Sequence, residues 1–154
     1  MRELTQEEKA TRDRMREQFD LFLEERMPLL ADFMERLGFN DPTLIVMDPE
    51  ECLQTIDHFM KDQIVGSDDR IWILTRIGCY IGDLLVHRFG GCWFLNEIPD
   101  SRYFLRYVVG MFTGARNQSA MVDPFYVADV YLCEPPGRSL SNFVEETVRE
   151  IETA

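Results

Sequence analysis

The side chains that could do chemistry in this sequence are four cysteines, two histidines and several paired carboxylates. His58 and His87 belong to different predicted helices, and no HxxxH, HExxH or paired-cysteine spacing typical of a metal site occurs. The cysteines lie far apart within apolar segments, which predicts buried thiols that act as small hydrophobic side chains. They are Cys52, Cys79, Cys92 and Cys133. Since no GxSxG nucleophile motif occurs either, we predict no metal, no cofactor and no catalytic residue.

The acidic residues concentrate in residues 48–69, where seven Asp and Glu side chains face a single Lys. Two interpretations stay open. The segment is either an ordinary solvated surface, in which Asp57 pairs with Lys61 one helical turn away, or a surface that docks on a basic protein partner and raises its association rate. The residues predicted for such a binding surface are Glu50, Glu51, Asp57 and Asp62.

Composition narrows the class of protein. The chain has 154 residues with a formal net charge of −12, from 28 acidic and 16 basic side chains. Binding to a nucleic-acid backbone is disfavoured, because such proteins neutralise phosphates with Lys and Arg. No apolar run approaches the roughly 20 residues that cross a bilayer. The first residues are charged and include acids, unlike a secretory or transit signal, so we expect a cytoplasmic protein without a membrane partner.

The chain length and the element pattern predict one domain over residues 1–154. Its centre is an apolar helix that begins near Ser67 and ends at Gly90 and Gly91. Gly78 and Gly82 lie one helical turn apart, which predicts that another helix or the sheet approaches the helix backbone there. A strand carrying Trp93 follows the helix, and residues 103–109 predict a second strand that pairs with it antiparallel.

Helices flank this centre in the sequence. Thr5 and Glu8 form a capping box for a first helix whose first two turns are polar, so residues 1–14 are expected to project into solvent or against a partner. Pro28 either kinks one long helix or begins a second. Residues 43–47 suit an edge strand or extended chain. Asp48 is predicted to cap the helix that follows, with its apolar face running to residue 65.

The C-terminal part is also mostly helical. Asp123 followed by Pro124 predicts a short helix, although residues 130–132 equally suit a strand. Ser139 or Ser141 is predicted to cap a last helix. The fold class predicted for the whole chain is therefore α+β: a helix-rich single domain with a small antiparallel sheet after the central helix.

The central helix and the strand after it resemble a pattern of small bacterial domains of unknown function. In that pattern a helix of the form Y-x-G-[ED]-x-[LI] runs into G-G-x-W and then a small sheet. The matching positions here are Tyr80, Gly82, Asp83, Leu85, Gly90, Gly91 and Trp93. The resemblance implies a small α+β bacterial domain and carries no activity. Asp83 stands where Glu is more common in the pattern.

Three functions follow as expectations. The first is a non-enzymatic cytoplasmic protein that binds a basic protein partner through its acidic surface, as toxin-neutralising immunity proteins do by the same electrostatics. The alternative is a small-molecule-binding protein or enzyme with a pocket near Tyr80, Asp83 and Trp93, where Asp83 is the one acid within the apolar helix. The third is a homo-oligomer whose subunits pair through the charged N-terminal helix.

Overall fold

Helices dominate the computed structural model, which describes residues 2–153. Within those residues the chain forms six α-helices, one 3₁₀ turn and a three-stranded sheet. The elements are α1 (Gln6–Arg36), α2 (Leu44–Met47), the 3₁₀ turn (Pro49–Cys52), α3 (Leu53–Met60), α4 (Ser67–Phe89), β1 (Cys92–Leu95), β2 (Tyr107–Gly110), β3 (Met121–Val122), α5 (Pro124–Cys133) and α6 (Leu140–Thr153). None of the helices in this part of the chain is long and apolar enough to cross a membrane.

Helix α4 is the centre of the core, as predicted from its apolar sequence. It packs against α5, α1 and the sheet, and its middle and C-terminal turns are buried. Gly90 ends it in the left-handed conformation, with φ of 70°, which a glycine adopts without strain. The helix begins at Ser67, as the sequence indicated, and Gly66 occupies the N-cap position.

The sheet confirms the predicted fold class, because it follows the central helix, is antiparallel and has the order β1-β2-β3. Trp93 pairs with Val109, and Val109 pairs with Val122. The second strand was predicted from residue 103 but begins at Tyr107, since residues 101–105 turn and Leu105 has a φ of 58°. The two-residue strand β3 was not predicted, because so short a strand carries no alternation.

Helix α1 is a single helix that continues through Pro28, which settles the alternative left open by the sequence. The predicted capping box is confirmed. The Glu8 amide donates to the Thr5 hydroxyl at 3.1 Å, and the Thr5 amide donates to the Glu8 carboxylate at 2.9 Å. The first half of α1 lies beside the sheet, where the Tyr107 hydroxyl of β2 donates to the Met15 carbonyl at 2.7 Å.

Two predictions between α1 and α4 are wrong. Residues 43–47 are not extended: they form the short helix α2, whose Ile45 is fully buried. Tertiary burial overrides the β-propensity of this isolated apolar run. Asp48 does not cap the next helix through its side chain, because its backbone, with φ of −148° and ψ of 76°, leads into a 3₁₀ turn.

The C-terminal ambiguity is settled in favour of a helix. Asp123 caps α5 as predicted, accepting from the amides of Phe125 at 3.0 Å and Tyr126 at 3.3 Å. At α6 the Ser139 hydroxyl accepts from the Asn142 amide at 3.2 Å. The prediction of buried thiols is correct for Cys52 and Cys79 and wrong for the other two cysteines, which are exposed.

Candidate functional site

Asp83, the acid within the apolar helix, lies at a junction of α1, α4 and β1. Its Oδ1 accepts a hydrogen bond of 2.9 Å from the Trp93 indole and an ion-paired hydrogen bond from Arg26. The side chains of Asp83 and Arg26 are 13% and 18% exposed. Burial raises the pKa of Asp83 above its ordinary value, because desolvation of the carboxylate outweighs the contacts with Arg26 and Trp93.

The glycines of α4 explain how the indole reaches Asp83. A Cβ on Gly82 would overlap the six-membered ring of Trp93, and a Cβ on Gly78 would overlap the ring of Phe125. The close approach predicted at these glycines is therefore confirmed, with aromatic side chains from β1 and α5 as the neighbours. Phe22 of α1 packs edge-on to Trp93, with ring centroids 5.1 Å apart, and closes the junction.

Tyr80 makes a separate buried contact. Its hydroxyl donates to the Pro49 carbonyl at 2.7 Å, which holds the 3₁₀ turn onto α4. The side chain is fully buried, and that burial raises the pKa of its hydroxyl. Of the three residues predicted for a ligand pocket, the structure brings Asp83 and Trp93 together, while the Tyr80 hydroxyl bonds elsewhere. None of five surface cavities along residues 2–153 is lined by any of the three.

Two of the four acids predicted for a binding surface are used inside the fold. Glu50 accepts two hydrogen bonds from Arg88, at 2.7 and 2.9 Å, and that contact lowers the pKa of its carboxyl. Asp57 caps α6: it accepts from the Leu140 amide at 2.7 Å, from the Ser141 amide at 3.2 Å and from the Ser141 hydroxyl at 2.8 Å.

The predicted ion pair between Asp57 and Lys61 is therefore wrong, since among residues 2–153 the Asp57 carboxylate contacts α6 and no lysine. Sequence spacing indicated a partner on the same helix, and a helix 83 residues further along the chain supplied the partner instead. The signal that could have found it is the start of α6, whose amides need an acceptor.

The other predicted acids, Glu51 and Asp62, are exposed, as are Asp68 and Asp69 in the first turn of α4. Within the described part of the chain none of these four carboxylates makes an ion pair. The acidic segment thus divides into acids that hold the fold and acids that face water. Only the second group is available to a partner.

A groove of about 440 Å³ is lined in part by two of these outward-facing acids, Asp68 and Asp69. It lies between the C-terminal end of α1, the end of α3 and the first turns of α4. Its lining is mainly apolar and comprises Phe33, Arg36, Phe59, Met60, Gln63, Ile64, Val65, Asp68, Asp69, Trp72 and Ile73. Asp62 is the chain neighbour of Gln63 in that lining. We call this the α1–α3–α4 groove.

Large apolar side chains stand exposed at the groove. Ile64 is 87% exposed and Phe59 is 41% exposed, and Ile71, which precedes Trp72 on α4 but is not part of the lining, is 72% exposed. The apolar face predicted to run to residue 65, and the apolar central helix predicted from Ser67, would have buried these three side chains. The prediction is wrong because α3 ends at Met60, so helical spacing no longer places Ile64 on its buried face, and because the first turn of α4 extends beyond the core.

Trp72 forms one wall of the groove. The Arg76 guanidinium lies 3.8 Å from the centroid of the Trp72 ring system and the Arg36 guanidinium lies 5.2 Å from it, within cation–π range. Phe33 meets Trp72 edge-on at 6.0 Å. These contacts hold the Trp72 indole in place at the groove.

A second cavity, of about 410 Å³, is lined by Glu50, Glu51 and Glu145. Arg88 contacts Glu50 and also lies 3.3 Å from Glu145, which compensates part of the negative charge. No group of three or more His, Cys, Asp or Glu side chains within residues 2–153 is arranged to hold a metal ion.

Comparison of the chain with protein-family models, with curated proteins and with solved structures finds no match.

Proposed function

We propose that the protein is a non-enzymatic cytoplasmic protein that binds a protein partner in the α1–α3–α4 groove. The partner segment is one whose apolar side chains are flanked by Lys or Arg. The observation that supports the proposal most is the combination in one apolar groove of Ile64, 87% exposed, with the carboxylates of Asp68 and Asp69, which make no ion pair within residues 2–153.

Exposed apolar groups at the groove favour a partner that covers them. The transfer of a fully exposed Ile side chain out of water is favourable by roughly 1.5–3 kcal/mol of free energy. Single exposed apolar residues are ordinary, whereas a cluster beside a concave surface is typical of an interaction site. Phe59 and Ile64 are two such exposed side chains in the lining of the groove, and the Arg76 guanidinium over the Trp72 ring reduces the cost of ordering that wall on binding.

The charge favours a basic partner over a second copy of the chain. Two acidic rims brought together would repel each other, and the formal net charge of −12 adds to that repulsion. A basic partner is attracted, and its association rate falls as salt screens the field. Toxin-neutralising immunity proteins use the same electrostatics, and that likeness is one of physics alone.

The contacts of Tyr80, Asp83 and Trp93 do not favour the alternative of a ligand pocket there. Their polar atoms are occupied by Pro49, Arg26 and each other. The buried Arg26 Nε beside them has no hydrogen-bond partner within residues 2–153, but none of the five cavities along those residues is lined by the three predicted side chains.

The test compares matched variants in pull-downs from lysate at low salt. Ile64→Ser removes the exposed anchor, and the double variant D68N/D69N removes rim charge. The control E24Q/E25Q removes the same charge from exposed positions of α1 away from the groove lining. A genuine partner is captured by the wild type and the control and lost from both groove variants.

The captured protein is then purified and its affinity for the wild type is measured against ionic strength. Ile64→Ser should weaken binding about tenfold or more. The proposal fails if the wild type captures nothing, or if the groove variants and E24Q/E25Q capture the same proteins equally. Light scattering at several protein concentrations tests for the homo-oligomer, and a concentration-dependent dimer abolished by Ile64→Ser would replace the proposed partner with a second copy.

A further inference from the structure

Another cleft, separate from the α1–α3–α4 groove and from the cavity lined by Glu50, Glu51 and Glu145, is built around Arg102 and Tyr103. These two side chains line three adjoining cavities of about 150, 200 and 230 Å³. They belong to the connection between β1 and β2, and they face Tyr126 of α5 across two of the cavities. Such volumes are below those of drug-sized ligand pockets and suit a small molecule.

Arg102 is held in the cleft by aromatic groups. Its guanidinium lies 4.5 Å from the centroid of the Tyr103 ring and 5.9 Å from that of Tyr126, and it donates to the Tyr103 hydroxyl. It makes no ion pair with any carboxylate within residues 2–153, although the chain has 28 acidic side chains against 16 basic ones. Because a guanidinium has five N–H donors, most of those of Arg102 remain available.

Arg106 lines the largest of the three cavities together with Arg102. Its Nη1 donates to Asp123 at 2.9 Å, and the Asp123 side chain is only 4% exposed and also caps α5. Arg106 is therefore anchored at one nitrogen by a buried carboxylate, while its side chain is 52% exposed. The two arginines present guanidinium donors to the same small space.

The adjoining cavity of about 150 Å³ has an apolar wall and two acidic side chains. Its apolar lining is Val122, Val127, Val130 and Phe143. Glu146 and Glu150 stand in the same lining, so additional negative charge along that wall is repelled. The Tyr126 ring, 48% exposed, offers a face for stacking.

We infer that this cleft binds a small anion in which one aromatic ring carries one phosphate or carboxylate group. The anionic group accepts hydrogen bonds from Arg102 and Arg106, as planar guanidinium groups favour for phosphate and carboxylate. The ring lies against Tyr126 and the valine wall. Glu146 and Glu150 select for ligands whose charge is confined to the arginine end.

The experiment titrates the isotope-labelled full chain by NMR with phenyl phosphate and with benzoate. Inorganic phosphate supplies the anion alone and benzamide supplies the ring alone. We expect amide shifts at Arg102, Tyr103 and Tyr126, and affinity for a ring-bearing anion at least about tenfold above that for either part. Binding of phenyl phosphate without benzoate identifies a phosphate ligand, and the reverse identifies a carboxylate.

Variants locate the effect. Arg102→Gln should weaken binding about tenfold, because it removes charge-assisted hydrogen bonds at an exposed position. Arg116→Gln, an exposed arginine outside these cavity linings, is the matched control and should leave the affinity unchanged. The inference is overturned if neither aromatic anion shifts these amides at millimolar concentration, if inorganic phosphate binds as tightly, or if R102Q and R116Q behave alike.

Discussion

In the second half of α4, Asp83 accepts hydrogen bonds from Trp93 and Arg26 and lies almost out of water, whereas in the first turn Asp68 and Asp69 face solvent near Trp72. Both regions combine aspartate, arginine and tryptophan between α1 and α4. In the first, Arg26 and Trp93 both donate to Asp83, while the buried Arg26 Nε has no hydrogen-bond partner among the residues that the structure describes. In the second, the arginines stack on the indole, and within residues 2–153 neither Asp68 nor Asp69 makes an ion pair.

The difference teaches that residue type does not identify a functional acid here. A buried carboxylate with two donors resists removal because its partners would be left without an acceptor. An exposed carboxylate contributes little to stability and is available to a partner. The junction therefore belongs to the fold, and the groove is the better candidate for binding.

Among the variants that test this difference, Asp83→Ala should lower the free energy of unfolding the most. It leaves the Arg26 guanidinium and the Trp93 indole buried without their acceptor, which should lower the free energy of unfolding by about 3 kcal/mol. Asp69→Ala, in the exposed turn of the same helix, should cost less than about 1 kcal/mol. Urea unfolding followed by circular dichroism measures both. Equal losses would mean that the junction is no more structural than the groove.

The glycine that admits the indole gives the next largest effect. Gly82→Ser would push a side chain into the Trp93 ring and should destabilise the protein by about 2 kcal/mol through overpacking. Gly66→Ser is the matched control, because a Cβ there meets open space and serine is a favoured N-cap residue. If G82S and G66S had the same melting temperature, the contact between Gly82 and the Trp93 ring would not be tight.

Asp57 and Asp62 test the division of the acidic segment. Asp57→Ala removes the acceptor of three hydrogen bonds at the start of α6 and should cost about 1 kcal/mol of unfolding free energy. Asp62→Ala should change stability by less than about 0.5 kcal/mol. With a partner in hand, only the Asp62 variant should slow association. If the Asp57 variant associated more slowly with the partner and the Asp62 variant associated at the wild-type rate, this assignment would be reversed.

The smallest effect is on the pH dependence of stability. Folding raises the pKa of Asp83 by burial, so the folded state binds more protons than the unfolded chain above the unfolded value of about 3.9. This contribution to the free energy of unfolding is full below that value and is lost as pH rises through the folded pKa. Asp83→Asn should therefore abolish the part of the decrease in unfolding free energy with rising pH that the Asp83 carboxyl causes.

Glu50 should behave in the opposite way. Arg88 lowers the pKa of Glu50 in the folded state, so its contribution is present above the unfolded value of about 4.3 and is lost as pH falls through the folded pKa. Glu50→Gln removes that acid-side loss, and the effect is small because the pair is partly exposed. Denaturant titrations over pH 3–7 compare the two variants, and changes of the same sign would contradict the assignment.

Much of the fold could be predicted because its signals are local. The Thr5 capping box, the Asp123 cap and the apolar run of α4 ending at Gly90 lie within a few residues of the structure they specify. The short helix α2 and the strand β3 could not, since four and two residues carry too little pattern to compete with tertiary packing.

The candidate sites were harder to predict for a different reason. The partner of Asp57 is in α6 and that of Glu50 is Arg88, and neither distance along the chain nor helical spacing indicates such contacts. The exposure of Ile64 depends on where α3 ends. The clustering of Arg102 and Tyr126 depends on how α5 packs beside the β1–β2 connection.

The sequence by itself determined the excess of acid, the apolar central helix with its glycine stop, and the helix-rich α+β class, because composition and periodicity act over short stretches of chain. Only the tertiary structure decided which acidic side chains accept hydrogen bonds within the fold. Burial and hydrogen-bond donors from distant elements took Asp83, Glu50 and Asp57 into the fold, while Asp62, Asp68 and Asp69 met no such donor and remained at the surface.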